Sequence, residues 1–118
     1  MFWVTSYFTK AEKASELRTW LLSSEAKDLV AAVERECGAR YVDTYWTINS
    51  LGESDIEDWW ELPNWATFDT LRDSPSFEKL AMRGWQLDFF DTSRPARARM
   101  LRSTKDVKTL APPQKKMP

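Results

Sequence analysis

The sequence predicts an α+β fold in which an antiparallel sheet carries its helices on one face. Short runs of β-branched and aromatic residues, typical of strands, alternate with stretches of helical periodicity. Two successive strand-like runs are separated only by a short turn containing glycine, which makes them a hairpin. Only two helical stretches are present, too few for a doubly wound fold. The 118 residues are enough for one domain.

The first half of the chain predicts two strands separated by a long helical stretch. Residues 2–8, FWVTSYF, form the first strand. Apolar residues recur at three-to-four spacing through Ala11–Cys37, which predicts helix, with a kink or break at Ser23–Ser24. Gly38 stands where a helix C-cap glycine is expected. Residues 40–49 then form the second strand.

The second half predicts a third strand followed by a broken helical region. The strand runs from about Ile56 to Leu62. Asn64 is suited to N-cap a short helix. Ser74, followed by proline at the first helical position, restarts a helix that Gly84 is expected to end.

Two strand-like runs and a polar tail complete the chain. Residues 85–90, WQLDFF, predict a fourth strand, and the alternating residues 96–102 a short fifth. The predicted turn at 50–54 makes the second and third strands a hairpin, so the order is β-α-β-β-α-β, the ferredoxin-like arrangement. The domain is expected to span 1–102. The Pro- and Lys-rich residues 103–118 predict a disordered tail.

Alternation along each strand assigns residues to two predicted faces. The apolar face, expected to pack against the helices, contains Phe2, Val4, Ser6, Phe8, Val42, Thr44, Trp46, Ile48, Ile56, Asp58, Trp60, Leu62, Trp85, Leu87 and Phe89. The mixed aromatic and acidic face contains Trp3, Thr5, Tyr7, Tyr41, Asp43, Tyr45, Thr47, Glu57, Trp59, Glu61, Gln86, Asp88 and Phe90. A monomeric sheet would present a more polar face to water, so a homodimer formed through the mixed face is expected. A monomer with an aromatic surface is the alternative.

The residues expected at this dimer interface include two arginines. The predicted interface consists of Trp3, Tyr7, Tyr45, Trp59, Phe90, Arg97 and Arg99. Arg97 or Arg99 is expected to pair with one of the carboxylates Asp43, Glu57 and Glu61, within one chain or across the dimer. A nucleic-acid patch is another interpretation of the arginines in this stretch, which are Arg94, Arg97, Arg99 and Arg102. The net charge of −1 and the lack of an RNP-type pattern on the third strand argue against it.

Composition excludes several classes of protein. No apolar run reaches the roughly 20 residues of a membrane span, and no signal peptide is evident, so a cytoplasmic protein is expected. The single cysteine, Cys37, excludes an internal disulfide and is expected to be buried and inert. The chain has no histidine, which excludes histidine-ligated haem and the commonest general base. Neither a metal nor a cofactor is predicted.

The segment 58–80, DWWELPNWATFDTLRDSPSFEKL, resembles members of the dimeric α/β-barrel superfamily. In EthD-like, NIPSNAP-like and antibiotic-biosynthesis-monooxygenase-like members, a strand ending in acidic and tryptophan positions leads into a broken helix with a W/F…L…SP rhythm. That rhythm is matched by Trp65, Phe68, Leu71, Ser74 and Pro75. The resemblance covers about residues 1–102 and implies a ligand pocket between the sheet and the helices. Several active members use a histidine in that pocket, which this chain does not have.

Asp58 is the candidate catalytic residue. By alternation it is the only charged side chain in the middle of the apolar face, where an unpaired carboxylate is costly. Desolvation would raise its pKa and suit it to proton transfer. The candidate substrate-binding residues are Ser6, Thr44, Trp46, Trp60, Trp65, Phe68 and Phe89. In the alternative, structural interpretation, Asp58 bonds to a hydroxyl or a backbone amide and the tryptophans form the core.

Two classes of function follow from these residues and from the resemblance. The first is a small cofactor-independent enzyme, an oxygenase, isomerase or cyclase, acting on an aromatic or polyketide-like small molecule. The second is a non-catalytic dimeric protein that binds a small molecule or a partner. A pocket that reaches Asp58 favours the enzyme, whereas a pocket filled by Trp46, Trp60 and Trp65 favours the binding protein.

Overall fold

The computed structural model describes residues 1–48 and 55–107. The predicted turn at 50–54 and residues 108–118 of the predicted tail lie outside the described residues. The elements are β1 (Phe2–Tyr7), α1 (Ala14–Leu21), α2 (Ser24–Cys37), β2 (Arg40–Trp46), β3 (Ile56–Glu61), α3 (Trp65–Arg72), α4 (Pro75–Gln86) and β4 (Arg97–Leu101). A short 3-10 turn, Ala11–Lys13, precedes α1. Residues 103–107, where the tail was expected to begin, form a turn.

The strands form one sheet in the order β2-β3-β1-β4, and every neighbouring pair is antiparallel. Buried residues of α1, α2 and α3 pack with Ile56, Trp60 and Leu62, so the helices cover one face of the sheet. This arrangement confirms the predicted α+β fold. None of the helices in the described ranges has the length and apolar character needed to cross a membrane.

The helix ends follow the local chemistry of the sequence. The predicted long helix is broken at Ser23, whose hydroxyl accepts a hydrogen bond from the Ala26 amide at 3.2 Å and starts α2. Asn64 and Ser74 cap α3 and α4 in the same way. Gly38 ends α2 with φ of 76°, in the left-handed region that favours glycine. The cap assignments of Gly38, Asn64 and Ser74 made from the sequence are confirmed.

The predicted fourth strand at 85–90 is wrong. Helix α4 does not end at Gly84 but continues to Gln86, and of residues 85–90 only Phe90 makes a β-bridge, an isolated one to Thr9. The segment predicted as a fifth strand is β4. A short apolar run has no hydrophobic periodicity that distinguishes a strand from the end of a helix. Glycine at position 84 serves close packing, since a Cβ there would lie 2.8 Å from two ring atoms of Phe90.

The predicted faces of β1 are inverted. Trp3 pairs with Trp60, Thr5 with Asp58 and Tyr7 with Ile56, and directly paired residues of antiparallel strands share a face. The odd-numbered residues of β1 therefore face the helices. Phe2, Val4 and Ser6, which were assigned to the helix side, lie on the opposite face, called the outer face below. Alternation could not decide this, because β1 is rich in apolar and aromatic residues at both parities.

An irregularity in β2 moves a further residue to the helix side. The register shifts between Tyr41 and Asp43, so Tyr41 pairs with Trp60 while Thr44 pairs with Asp58. An extra residue in one strand resets its alternation, as in a β-bulge. Tyr41 and Thr44 consequently share the helix face although their numbers differ in parity. The assignment of Tyr41 to the outer face was wrong for this reason.

The left-handed end of α2 gives a test of the fold. Gly38→Ala is expected to lower the free energy of unfolding by about 1 kcal/mol, because a Cβ is disfavoured in this backbone region. Apart from the two adjoining residues, no atom lies within 4 Å of the added Cβ, so no steric clash with the rest of the described structure contributes. Urea denaturation measures the change. Gly38→Asn is the control and should lose less, since asparagine tolerates this conformation better. Equal losses in the two variants would contradict the explanation.

Candidate functional site

A cavity of about 260 Å³ lies between the helix face of the sheet and helices α1, α2 and α4. We call it the inner cavity. Its aromatic walls are Trp3, Trp20, Tyr41, Trp60, Phe77, Trp85 and Phe90. The sheet also contributes the polar residues Thr5, Tyr7, Thr44 and Asp58 to the lining. A mostly apolar chamber with a few convergent polar groups is the usual form of a small-molecule site.

Helix α4 builds one wall of the inner cavity by helical spacing. Phe77, Leu80, Ala81 and Gly84 line the inner cavity at intervals of three and four residues. This spacing places them on one side of the helix. The same periodicity is visible in the sequence, so these wall residues could have been predicted once α4 was placed over the sheet.

Asp58 is held by hydroxyl groups from two neighbouring strands. Thr44 of β2 donates to Oδ1 of Asp58 at 2.7 Å, and the Tyr7 hydroxyl of β1 donates to the same oxygen at 3.1 Å. The Tyr41 hydroxyl is hydrogen-bonded to the Thr44 hydroxyl in turn. Both donors end on Oδ1, and no hydrogen bond from the described residues reaches Oδ2. The carboxyl is thereby oriented as well as stabilised.

Burial makes Asp58 a group that titrates near neutrality. Desolvation raises the pKa of Asp58 to about 6, against the hydrogen bonds from Thr44 and Tyr7, which lower it. Burial and the nearby Asp58 raise the pKa of Tyr7 well above its ordinary value. Burial also raises the pKa of Tyr41. Asp58 can therefore exchange a proton near pH 6, whereas both tyrosines remain protonated hydrogen-bond donors.

Three of the residues predicted for the site line the inner cavity. They are Asp58, Thr44 and Trp60. Ser6 does not join them, because β1 presents it on the outer face, where its hydroxyl donates to Glu57 at 3.0 Å. Its assignment to the helix side was wrong for the reason given for β1.

The other predicted aromatic residues lie outside the inner cavity. Phe89 is buried in the core. Phe68 packs behind the cavity wall, with its ring centroid 5.3 Å from that of Trp3. Trp65 is 51% exposed at the start of α3, and Trp46 packs at the edge of the core. These residues were selected by their predicted face of the sheet or by the family motif, and neither criterion gives the distance of a residue from Asp58.

Some residues expected at a dimer interface line the inner cavity instead. Trp3 and Tyr7 point inwards because of the register of β1. Phe90 packs on Gly84 and on Tyr7, with 5.0 Å between the ring centroids of Phe90 and Tyr7. The inner cavity is therefore more aromatic, and the outer face less so, than alternation indicated.

The outer face retains an aromatic and ionic cluster. Trp59 lies between Phe2 and Tyr45, with centroid distances of 5.5 and 5.7 Å. Glu57 accepts hydrogen bonds from Arg99 at 3.0 Å and from the Trp59 indole at 3.3 Å. The predicted pairing of Arg97 or Arg99 with a carboxylate of this face is confirmed for Arg99 within one chain. Arg97 lies opposite Ser6 in the sheet register.

Two acidic residues of the outer face, Glu57 and Glu61, form ion pairs with arginines. Glu61 accepts from Arg40 at 2.7 Å, and Glu57 is bound by Arg99. Within residues 1–48 and 55–107, no group of three or more acidic or cysteine side chains is placed to hold a metal ion. Glu57 and Glu61 are thus neutralised by arginines of β4 and β2, while Asp43 accepts a hydrogen bond from the Thr44 amide at 2.7 Å.

Solved structures with the same architecture include proteins from three organisms. A Mycobacterium tuberculosis protein matches with a TM-score of 0.59 and 16% identity over 92% of this chain and 97% of that one. An uncharacterized NIPSNAP domain protein from Burkholderia xenovorans matches with 0.59 and 13%, over 92% and 98%. A DABB family protein with a ferredoxin-like fold from Mesorhizobium loti matches with 0.60 and 13%, over 86% and 96%. This chain has that ferredoxin-like fold.

The resemblance to NIPSNAP-like proteins drawn from the sequence is confirmed at the level of the fold. The match covers nearly the whole length of both chains, so the shared architecture is not confined to one motif. Sequence identities of 13 to 16% show the fold alone. No protein-family model matches the chain, and no curated protein sequence matches it.

The raised pKa of Asp58 gives a test of its burial. Between the unfolded value near 4 and the folded value of about 6, the folded protein holds a proton that the unfolded chain has lost. This contribution to stability is therefore full at low pH and is lost as pH rises through about 6. Asp58→Asn removes the dependence. Relative to wild type, the variant should gain up to about 3 kcal/mol of unfolding free energy between pH 4 and pH 8.

Urea denaturation at several pH values measures that difference. The figure is an upper limit, because the carboxyl borders the inner cavity and any water there lowers the cost of its charge. Asp28→Asn, at an exposed position of α2, is the control and should show no such trend. A constant difference between Asp58→Asn and wild type across the range would mean that the folded pKa is not raised.

Proposed function

We propose that the protein is a small cofactor-independent enzyme of the isomerase, cyclase or oxygenase type. Its substrate is an aromatic or polyketide-like small molecule held in the inner cavity, and Asp58 transfers the proton. The observation that carries this proposal is a carboxyl with a pKa of about 6 at the wall of an aromatic cavity, with Oδ2 available to a ligand. A general base works best when its pKa lies near the working pH.

The hydrogen bonds at Asp58 suit a reversible proton transfer. The ionised carboxylate takes a proton through Oδ2 from a substrate hydroxyl or from a C–H next to a carbonyl. Thr44 and Tyr7 stabilise the charge on Oδ1 and fix the orientation of the carboxyl. The same proton then returns to a different substrate atom, which completes an isomerisation or a cyclisation without a cofactor. In an oxygenase reaction the deprotonated substrate reacts with dioxygen instead.

The walls of the inner cavity favour an aromatic substrate. Trp3 and Trp60 on the sheet and Trp20 on α1 present large apolar surfaces to the chamber, and rings pack well in edge or offset contacts. The tyrosine hydroxyls are engaged with Asp58 and Thr44, so they add few independent polar contacts. A substrate with one hydroxyl or carbonyl on an otherwise apolar ring system matches this distribution.

A non-catalytic binding protein is the second candidate. It is favoured by the two hydrogen bonds to Oδ1, because a purely structural carboxyl would be satisfied in the same way. In that case the inner cavity holds a ligand and Asp58 serves only as a hydrogen-bond partner. The two candidates differ in whether a bound ligand exchanges a proton with Asp58.

The outer face supports a homodimer. Tyr45 is 48% exposed beside Trp59, on the side of the sheet that the helices leave open. Two carboxylates of this face are already paired: Glu57 with Arg99 and Glu61 with Arg40. A second copy could therefore cover Glu57 and Glu61 without burying them as unpaired charges, which is the main cost of covering such a surface. Two copies related by a two-fold axis would place Trp59 near the contact.

Deuterium exchange tests the enzymatic proposal without knowledge of the natural substrate. Phenylacetone serves as the probe, because it is an aromatic ketone whose C–H groups next to the carbonyl exchange slowly. Wild type should accelerate deuterium incorporation from heavy water, followed by NMR, with a rate that rises with pH through about 6. Asp58→Asn should lower the enzyme-dependent rate by about a hundredfold or more.

The control variant for this test is Asp28→Asn, at an exposed helix position. It should exchange the probe at the wild-type rate. Binding of phenylacetone to wild type without any exchange would favour the binding protein. An unchanged exchange rate in Asp58→Asn would contradict the role given to this residue.

Sedimentation velocity tests the dimer. Wild type should sediment as a dimer at micromolar concentration. Trp59→Glu should shift it towards monomer, because the new carboxylate lies beside Glu57 and would be buried at the contact. Trp65→Glu changes an exposed tryptophan on α3 and should leave the dimer intact. A monomeric wild type, or a dimer that tolerates Trp59→Glu, would contradict the proposal.

A further inference from the structure

A second cavity of about 270 Å³ adjoins the inner cavity. We call it the outer groove. The residues that line it but not the inner cavity are Phe8, Asp91, Thr92, Arg94, Pro95 and Ala96. Tyr7, Trp85 and Phe90 line both spaces. The two spaces are therefore neighbours across a partition of three aromatic side chains.

We infer that the inner cavity and the outer groove are two halves of one binding site, with the ring of Phe90 as a movable partition. The ligand is then an elongated molecule, with a hydroxyl-bearing or carbonyl-bearing aromatic head at Asp58 and an apolar tail in the outer groove. This inference rests on the proposed function, since it requires that the inner cavity bind a ligand.

The size of the two spaces supports a shared ligand. Small-molecule pockets are usually about 300–1,000 Å³. The inner cavity, at about 260 Å³, and the outer groove, at about 270 Å³, each fall below that range. Joined, they fall within it. A ligand confined to one of them would be small, whereas one that spans both has ordinary dimensions.

Hydrogen bonds hold the backbone on both sides of Phe90, so the passage between the two spaces opens by movement of the Phe90 side chain. The carbonyl of Phe89 accepts a hydrogen bond from the Lys10 amide at 2.9 Å. The amide of Asp91 donates to the Phe8 carbonyl at 3.0 Å. Residues on both sides of Phe90 are thus tied to the segment that follows β1. The ring can still rotate about its own side-chain bonds.

The Phe90 ring packs directly on Gly84 when it separates the two spaces. A Cβ at this position would lie 2.8 Å from two atoms of the Phe90 ring, closer than two carbon atoms pack. Trp85, the next residue, is 55% exposed and packs against the same ring with 5.6 Å between centroids. The ring therefore occupies the closed position because residue 84 has no side chain.

The chemistry of the outer groove selects an apolar tail. Phe8, Trp85, Pro95 and Ala96 give it an apolar lining. The guanidinium of Arg94 lies over the Phe8 ring, 3.9 Å from its centroid, and donates to Asp91 at 2.9 Å. Its charge is already balanced, so an anionic end group would gain little here. An alkyl or aryl tail loses no hydrogen bond on entering and gains from burial.

A series of para-alkylphenols tests the joined site. Phenol, para-butylphenol and para-octylphenol are titrated calorimetrically into the full chain. Each methylene that is buried should tighten binding, by up to about fourfold. The octyl chain is the one in this series expected to reach past Phe90, so its added affinity should come from the outer groove. Ala96→Trp fills the outer groove and should abolish the gain of para-octylphenol over para-butylphenol.

The matched control for that variant is Ala66→Trp. It adds the same side chain at an exposed position of α3 that lines neither space. This variant should retain the full gain in affinity along the series. Persistence of the octyl gain in Ala96→Trp would overturn the inference.

Two further variants test the partition. Phe90→Ala removes the ring, and Gly84→Ala displaces it from its seat. Both should raise the association rate of para-octylphenol several-fold in stopped-flow measurements. Trp65→Ala, which removes an exposed aromatic ring elsewhere, should leave the rate unchanged. Unaltered rates in both Phe90→Ala and Gly84→Ala would exclude the ring as the partition that moves.

The phenol titration separates failure of the inference from failure of the proposed function. If wild type does not bind phenol, or if Asp58→Asn binds it equally well, the ligand site at Asp58 is refuted and the inference with it. If phenol binds in a manner that depends on Asp58 but chain length has no effect, only the joined site is refuted.

Discussion

The pairing of β1 with β3 is the constraint on which the rest of the structure depends. These are the two central strands, and their register sets Thr5 opposite Asp58 and Tyr7 opposite Ile56. A slip of one residue would send the whole inward set of β1 to the outer face. Asp58 would then lose the Tyr7 donor, and the inner cavity would lose the wall formed by Trp3. The fold, the site and the composition of the outer face therefore share one determinant.

The carboxylates on the two faces of the sheet have different kinds of partner. On the outer face, Glu57 and Glu61 are bound by arginines and remain accessible to water, so little free energy is at stake. On the helix face, Asp58 has hydroxyl partners and no cation among the groups that shift its pKa. Hydroxyls stabilise the charge less than an arginine would, so the pKa stays raised. The choice of partner, rather than burial alone, leaves Asp58 able to gain and lose a proton.

Local chemistry and single-residue anomalies were predictable from the sequence, whereas faces and distances were not. The caps at Asn64 and Ser74 depend on short-range geometry, and Asp58 stood out as one charge within an apolar pattern. The predicted face of β1 was wrong because its residues at both parities are apolar or aromatic. The predicted face of Tyr41 was wrong because an irregularity resets the alternation of β2. The network around Asp58 joins residues up to 51 positions apart, which no local pattern reveals.

The distribution of the tryptophans gives the molecule an internal optical reporter. Of the seven in the chain, the four that line the inner cavity are Trp3, Trp20, Trp60 and Trp85. The other three, Trp46, Trp59 and Trp65, do not line it. A ligand that enters the inner cavity replaces water beside four indoles at once and should alter their emission, while the remaining three supply a constant background. Occupancy of the inner cavity should thus be visible in the intrinsic fluorescence of the unlabelled protein.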